Sequence, residues 1–147
     1  MEIDNKEKKH IKNKSNFLIN KYHFRRRIIT FIYQNELFEH EINIEEIFEN
    51  NLNEISTKEL KTLEIIKSKY QTLTNIGKKF LLEEWKWERI SPLVRAILLY
   101  GIYELTFNEP KVVINEMINI TKLFSPGEDF KFVNKILDRI SKQIIKN

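Results

Sequence analysis

Turn-forming residues are scarce in this chain: three glycines, at 77, 101 and 127, and three prolines, at 92, 110 and 126, punctuate 147 residues. A backbone with so few breaks runs in long segments. Val and Thr are sparse as well, with four and seven copies, and apolar residues recur at helical intervals rather than in alternation. The expected fold class is therefore all-α. The chain is of one-domain length and 41% apolar, enough to close one compact core. No run approaches 18 apolar residues, so no membrane span is expected. The start Met1-Glu2-Ile3-Asp4-Asn5-Lys6 lacks the apolar stretch of a secretory signal. The absence of Cys removes disulfides, thiol nucleophiles and Cys-ligated zinc. A cytoplasmic protein is the expectation.

Six or seven helices can be placed. Residues 1–14 carry many charges and only Ile3 and Ile11 as branched apolar residues, and are expected to form a disordered basic tail. Residues 15–147 are expected to form a single helical domain. Its first helix, capped by Ser15 or Asn16, would run to about Glu39, with Tyr22, Ile29, Tyr33 and Leu37 on one stripe and Ile28 and Ile32 beside it. A short helix over Ile44 to Leu52 follows. Ser56-Thr57-Lys58-Glu59 reads as a capping box, opening a helix that reaches at least Leu73 and continues, kinked near Gly77, towards Trp85. Ser91-Pro92 is an N-cap followed by Pro at the first helical position. The segment from Leu93 to Leu105, apolar on nearly every face, is the expected central helix. Glu109-Pro110 opens another helix, with Val113, Met117, Ile120 and Phe124 facing inward. Asp129 is expected to cap the last, with Val133, Ile136 or Leu137, Ile140 and Ile144 on its buried face.

Ile, Lys and Asn account for 57 residues and Ala for one, a bias that base composition alone can produce, so the position of the charge says more than its total. Residues 1–27 hold nine basic and three acidic side chains, a balance of +6, and the remainder of the chain carries −2. A basic first helix that meets a polyanion fits this split, as does a solvated Lys-rich tail. Within it lies Lys21-Tyr22-His23-Phe24-Arg25-Arg26-Arg27. Lys21 and Arg25, four apart, are expected to share a wet face beside Tyr22 and Arg26. Guanidinium groups pair with phosphates and stack on bases; Tyr22 and His23 offer a platform for unstacked RNA bases.

Other chemistry has little support. Glu36 and His40 form an i, i+4 pair, but a metal site needs further ligands held in place, and His10 and His23 lie in the basic region. Neighbouring carboxylates such as Glu45-Glu46 and Glu83-Glu84 do not converge on a cleft. The glycines are too far apart for a phosphate loop. No enzyme, cofactor or metal site is expected. In Trp85-Lys86-Trp87-Glu88-Arg89, the tryptophans are either core anchors or a partner surface, where aromatic and Arg residues concentrate binding energy. In Phe130-Lys131-Phe132-Val133-Asn134, at least one Phe belongs to the core; the other, with Lys131, can extend a nucleic-acid surface.

Taken together, these segments resemble the NusB family of transcription antitermination factors over roughly residues 20–140. The resemblance rests on Arg25 followed by Ile28, Ile32, Tyr33 and Gln34; on Trp85-Lys86-Trp87-Glu88-Arg89-Ile90; on Arg95-Ala96-Ile97-Leu98 and Tyr103-Glu104-Leu105; on Ile114-Asn115-Glu116; and on Phe132-Val133-Asn134 with Leu137-Asp138. The sequence departs from the family pattern at Arg26, Val94, Leu99, Met117 and Lys135. The resemblance implies two three-helix subdomains and a protein that binds single-stranded boxA-type RNA in ribosomal RNA leaders. It does so together with NusE, a small-subunit ribosomal protein, within an RNA polymerase antitermination complex. It places RNA at Lys21 and Arg25 with Tyr33 nearby, and at Lys131, Phe132 and Asn134, with NusE near Trp85, Arg89 and Arg95. A helical protein-interaction module without RNA binding is the alternative. An RNA-binding appendage of a ribosomal RNA methyltransferase fits less well, because no glycine-rich methyl-donor site is present.

Overall fold

The structure, a computed structural model, describes residues 4–39 and 41–146. Among these residues there are six α-helices, one 3-10 turn and no strand. They are α1 (Asn5–Phe38), α2 (Ile44–Asn50), α3 (Thr57–Lys79), the 3-10 turn Trp87–Arg89, α4 (Pro92–Leu105), α5 (Pro110–Phe124) and α6 (Asp129–Lys146). They form two three-helix subdomains, α1–α3 and α4–α6, joined through α4, which packs against α1, α3, α5 and α6. As its composition implies, α4 is buried continuously from Val94 to Leu105.

Helix α1 starts ten residues earlier than expected. Nothing between Asn5 and Asn20 breaks a helix, and the Asp4 carboxylate accepts from the Lys6 amide as an N-cap. The basic segment expected to be a disordered tail is therefore helical from Asn5, and every residue from Asn5 to Asn20 is exposed. The core stripe also differs. Intervals of four residues advance the direction by about 40° around a helix, so the series Ile29, Tyr33, Leu37 drifts outward and leaves Leu37 47% exposed. The buried stripe is Arg25, Ile28, Ile29, Phe31, Ile32 and Glu36. It carries a charge at each end. Glu39, in the left-handed region at φ 55°, ends the helix by donating its N–H to the Asn35 carbonyl.

The anticipated starts of α3 and α4 are present. The Ser56 hydroxyl accepts from the Glu59 amide at 3.1 Å while the Glu59 carboxylate accepts from the Ser56 amide at 2.9 Å. Ser91 Oγ accepts from the Val94 amide, with Pro92 at N1. Helix α3 stops at Lys79 and does not reach Trp85. Helix α6 begins at Asp129 itself, whose carboxylate accepts from the Ser125 hydroxyl at 2.5 Å.

Gly77 is no hinge. It lets the Trp87 ring lie against α3: a Cβ at 77 would sit 2.7 Å from Trp87 Cζ3. Of the two tryptophans, Trp87 is core (6% exposed) and Trp85 is surface (49%). Gly77→Ala is expected to destabilise the protein by about 1–3 kcal/mol, because strain at the indole outweighs the helix-propensity gain. In a Trp85→Phe background, a lower urea midpoint with red-shifted Trp87 emission is the expected result; an unchanged midpoint would show that the ring yields freely.

Candidate nucleic-acid interface

Three consecutive residues on a helix point about 100° apart, so Arg25, Arg26 and Arg27 cannot share one surface. The structure sends each to a different neighbour. Arg25 points inward and is 5% exposed. Its Nε donates to Glu104 Oε1 at 2.8 Å, with Glu116 Oε2 3.7 Å from Nη1. Burial works against the charge of Arg25, but the hydrogen bond and field of Glu104 more than offset it and raise its pKa. Tyr100 also donates to Glu104, at 3.1 Å; its burial first, then the carboxylate, push the phenol up. The expected wet Lys21–Arg25 face is thus corrected: Arg25 is part of the core.

Arg27 reaches the start of α3. Its Nε donates to Glu59 Oε2 at 2.5 Å and its Nη2 to the Glu54 carbonyl at 2.9 Å. Burial opposes the Glu59 charge, but the Ser56 amide and Arg27 prevail and hold its pKa below the usual value.

Arg26 takes the remaining direction. Its guanidinium carbon lies 5.4 Å from the Tyr22 ring centroid and 5.2 Å from that of Phe124 at the end of α5. The group is held between two aromatic faces, and its Nε is buried without a hydrogen-bond partner. His23 is exposed, its ring 5.8 Å from Tyr22. Tyr33, half-buried, stands seven residues beyond Arg26 on the same flank. Lys21, on the other flank, sits 5.0 Å over Phe17.

Four residues separate Phe124 from α6, so the start of α6 belongs to the same corner as Arg26. There Lys131 and Asn134 are exposed; Lys131 pairs at 3.0 Å with Glu128, a weak exposed contact. Phe132 is half-buried and lies 5.3 Å from the exposed Trp85 ring. Arg89 is exposed beside it in sequence. Arg95 is not available as a surface contact. It is 9% exposed, its Nε donating to Glu36 Oε2 at 2.8 Å and its Nη1 to the Ile90 carbonyl at 2.6 Å. It shapes the turn that carries Trp87 and Arg89 from behind.

Glu36 is also accounted for. Tyr70 donates to its other oxygen, and burial, then that carboxylate, raise the Tyr70 pKa. The metal pairing considered for Glu36 is replaced by this network, and His40 lies outside the described residues. Phe124, Glu59 and Glu104 were not legible as partners of the arginines. The available signal was the placement of charges on otherwise apolar stripes.

Truncating one member of a buried pair strands the other charge. Arg25→Ala is therefore expected to cost about 3–5 kcal/mol, and Arg25→Met with Glu104→Leu much less than the sum of the single changes; urea midpoints of the four-membered cycle decide it. Glu59, with its pKa lowered in the fold, contributes stability above its unfolded pKa, about 4.3, and loses it as pH falls through the native value. Between pH 7 and pH 3 the gap in urea midpoint between wild type and Glu59→Gln is expected to narrow. A constant gap would assign the loss to shape alone.

The chain resembles known proteins along most of its length. Residues 23–142 match the NusB family. The transcription antitermination protein NusB of Fervidobacterium nodosum is 37% identical over 127 residues, 81% of this chain and 88% of that protein. NusB of a Nitratiruptor species is 39% identical over 75 residues, 50% and 53% of the two chains. The solved structure of T. maritima NusB overlays with a TM-score of 0.70 at 28% identity, covering 83% of this chain and 90% of that one. With its two three-helix subdomains, the chain belongs to the NusB family.

Proposed function

We propose that this protein is a transcription antitermination factor that binds boxA-type single-stranded RNA together with NusE, in support of ribosomal RNA transcription, and that it acts as an adaptor rather than an enzyme. The observation that carries this reading is the cation–aromatic cluster Tyr22–Arg26–Phe124, approached by the exposed lysines of the α1 arm. Stacked rings and guanidinium planes receive unstacked bases, and the lysines meet phosphates. Lys21, Tyr22, His23 and Arg26 form the centre of the RNA surface, and Lys131, Phe132 and Asn134 extend it at the α5–α6 corner. Arg25, Arg27 and Arg95 support it from within, and Tyr33 borders it.

Trp85 with Phe132 and Arg89 is the NusE contact in this reading. An exposed Trp against a second ring offers rigid apolar area of the kind that anchors protein interfaces. Few phosphates are neutralised, so binding to RNA alone is weak and salt-dependent. A partner touching the same RNA raises the apparent affinity through effective concentration.

The test is titration of labelled boxA-type RNA with wild type and Lys21→Ala/Arg26→Ala, with and without NusE, across a salt series. The double variant is expected to bind at least tenfold more weakly, with a salt slope shallower by about 1.4. Equal binding by the variant would remove the site assignment. Absence of binding by wild type at low salt with NusE present would favour the protein-interaction module.

A further inference from the structure

The flank of α1 away from Tyr22 and Arg26 holds an open groove of about 490 Å³, bounded by α1, the start of α3 and the end of α4. Its lining includes Phe17, Phe24, Tyr103 and Phe107. Phe17 and Phe107 are 57% and 61% exposed, and Phe107 meets Tyr103 edge-on at 5.1 Å. Two ammonium groups stand among these rings, Lys21 over Phe17 and Lys58 over Phe24, each at 5.0 Å. Glu104 also lines the groove and is 3% exposed. Its Oε1 accepts from Arg25 and Tyr100, while its Oε2 is buried without a hydrogen-bond partner. A buried carboxylate oxygen left unpaired is costly, and a donor brought in by a ligand relieves that cost.

The occupant therefore needs a flat body for the rings, an anionic group for the lysines and an N–H for Glu104. A nucleotide supplies all three. A cationic protein side chain meets two ammonium groups of like charge, and an apolar helix leaves Oε2 unpaired. We propose that this groove is a second nucleotide subsite, taking an amino-bearing base, guanine best, from the RNA strand held on the other flank of α1. The proposal rests on the RNA-binding reading above. Guanine presents adjacent N1–H and N2–H donors. The N3–H of uracil lies between two carbonyl oxygens that a carboxylate repels. The strand passes around α1 near Lys21, where the exposed arm leaves every side of the helix open; with side chains the helix is about 10–12 Å across, so a short spacer separates the two sites.

The experiment uses the full chain and a boxA-type RNA extended, at either end, by six uridines or by the same tract ending in two guanosines. Fluorescence anisotropy is read for wild type, Phe107→Ala and Lys58→Ala, with circular dichroism to verify folding. Both changes are at exposed side chains outside the Tyr22–Arg26 cluster. For one of the two ends, wild type is expected to bind the guanosine tract about fivefold or more tightly than the uridine tract. Inosine, which lacks the N2 amine, is expected to reduce the gain. Phe107→Ala abolishes it and Lys58→Ala diminishes it, while the unextended RNA binds both variants as it binds wild type. Equal affinity for guanosine and uridine tracts at both ends, or a gain that survives Phe107→Ala, overturns the subsite and leaves the RNA-binding reading standing. Failure of wild type to bind any of the RNAs overturns both. A Phe107→Ala variant that loses NusE while all RNAs bind unchanged assigns the groove to a protein and overturns the proposal.

Discussion

Two buried ion pairs fix how α1 lies on α4, and the remaining structure is arranged around that contact. Arg25 meets Glu104 and Glu36 meets Arg95, each through an Nε–Oε distance of 2.8 Å. Both helices carry their arginine before their glutamate in chain order, so only antiparallel packing satisfies both pairs. A parallel arrangement or a shift along the axis buries unpaired charge, which costs several kcal/mol per ion. Isoleucines between the charged ends supply apolar burial but are nearly interchangeable along the axis. The ion pairs distinguish the register, and Tyr70 and Tyr100 bind the same carboxylates.

The same contact explains how a strongly basic heptapeptide leaves a modestly cationic surface. Helical geometry sends Arg25 to the core, Arg27 to the capping box of α3 and Arg26 to the aromatic rings at the end of α5. Two of three positive charges are thus matched by carboxylates of the chain itself. The cations free to meet a polyanion are chiefly the lysines of the arm, while Arg26 offers a plane. Sequence counts add these charges together; the fold gives them separate tasks.

The helices were legible where local chemistry decides. Ser56 and Glu59 are three residues apart and complete a motif by themselves, as do Ser91 and Pro92, and the uninterrupted apolar run marked α4 as central. The arginine roles depend on residues far away in sequence: Arg25 and Glu104 are 79 positions apart, and one chain carries no signal that couples them. Glu36 looked like half of a ligand pair with His40 because i, i+4 spacing is visible, whereas its eleven-residue separation from Arg25 along a buried stripe has meaning only once α4 is in place. The arm was misjudged for another reason. Its composition is that of a solvated tail, but it continues a helix already nucleated in the core, which removes the main barrier to helix formation.

That continuity gives the arm a fixed bearing. Lys6 stands 19 residues from Arg25 on one unbroken helix, nearly 30 Å along the axis. A slip of one residue at the α1–α4 contact would turn every lysine on the arm by about 100°. The compass direction of the outermost charges is therefore set deep inside the protein, by two carboxylates that never meet the ligand those charges attract.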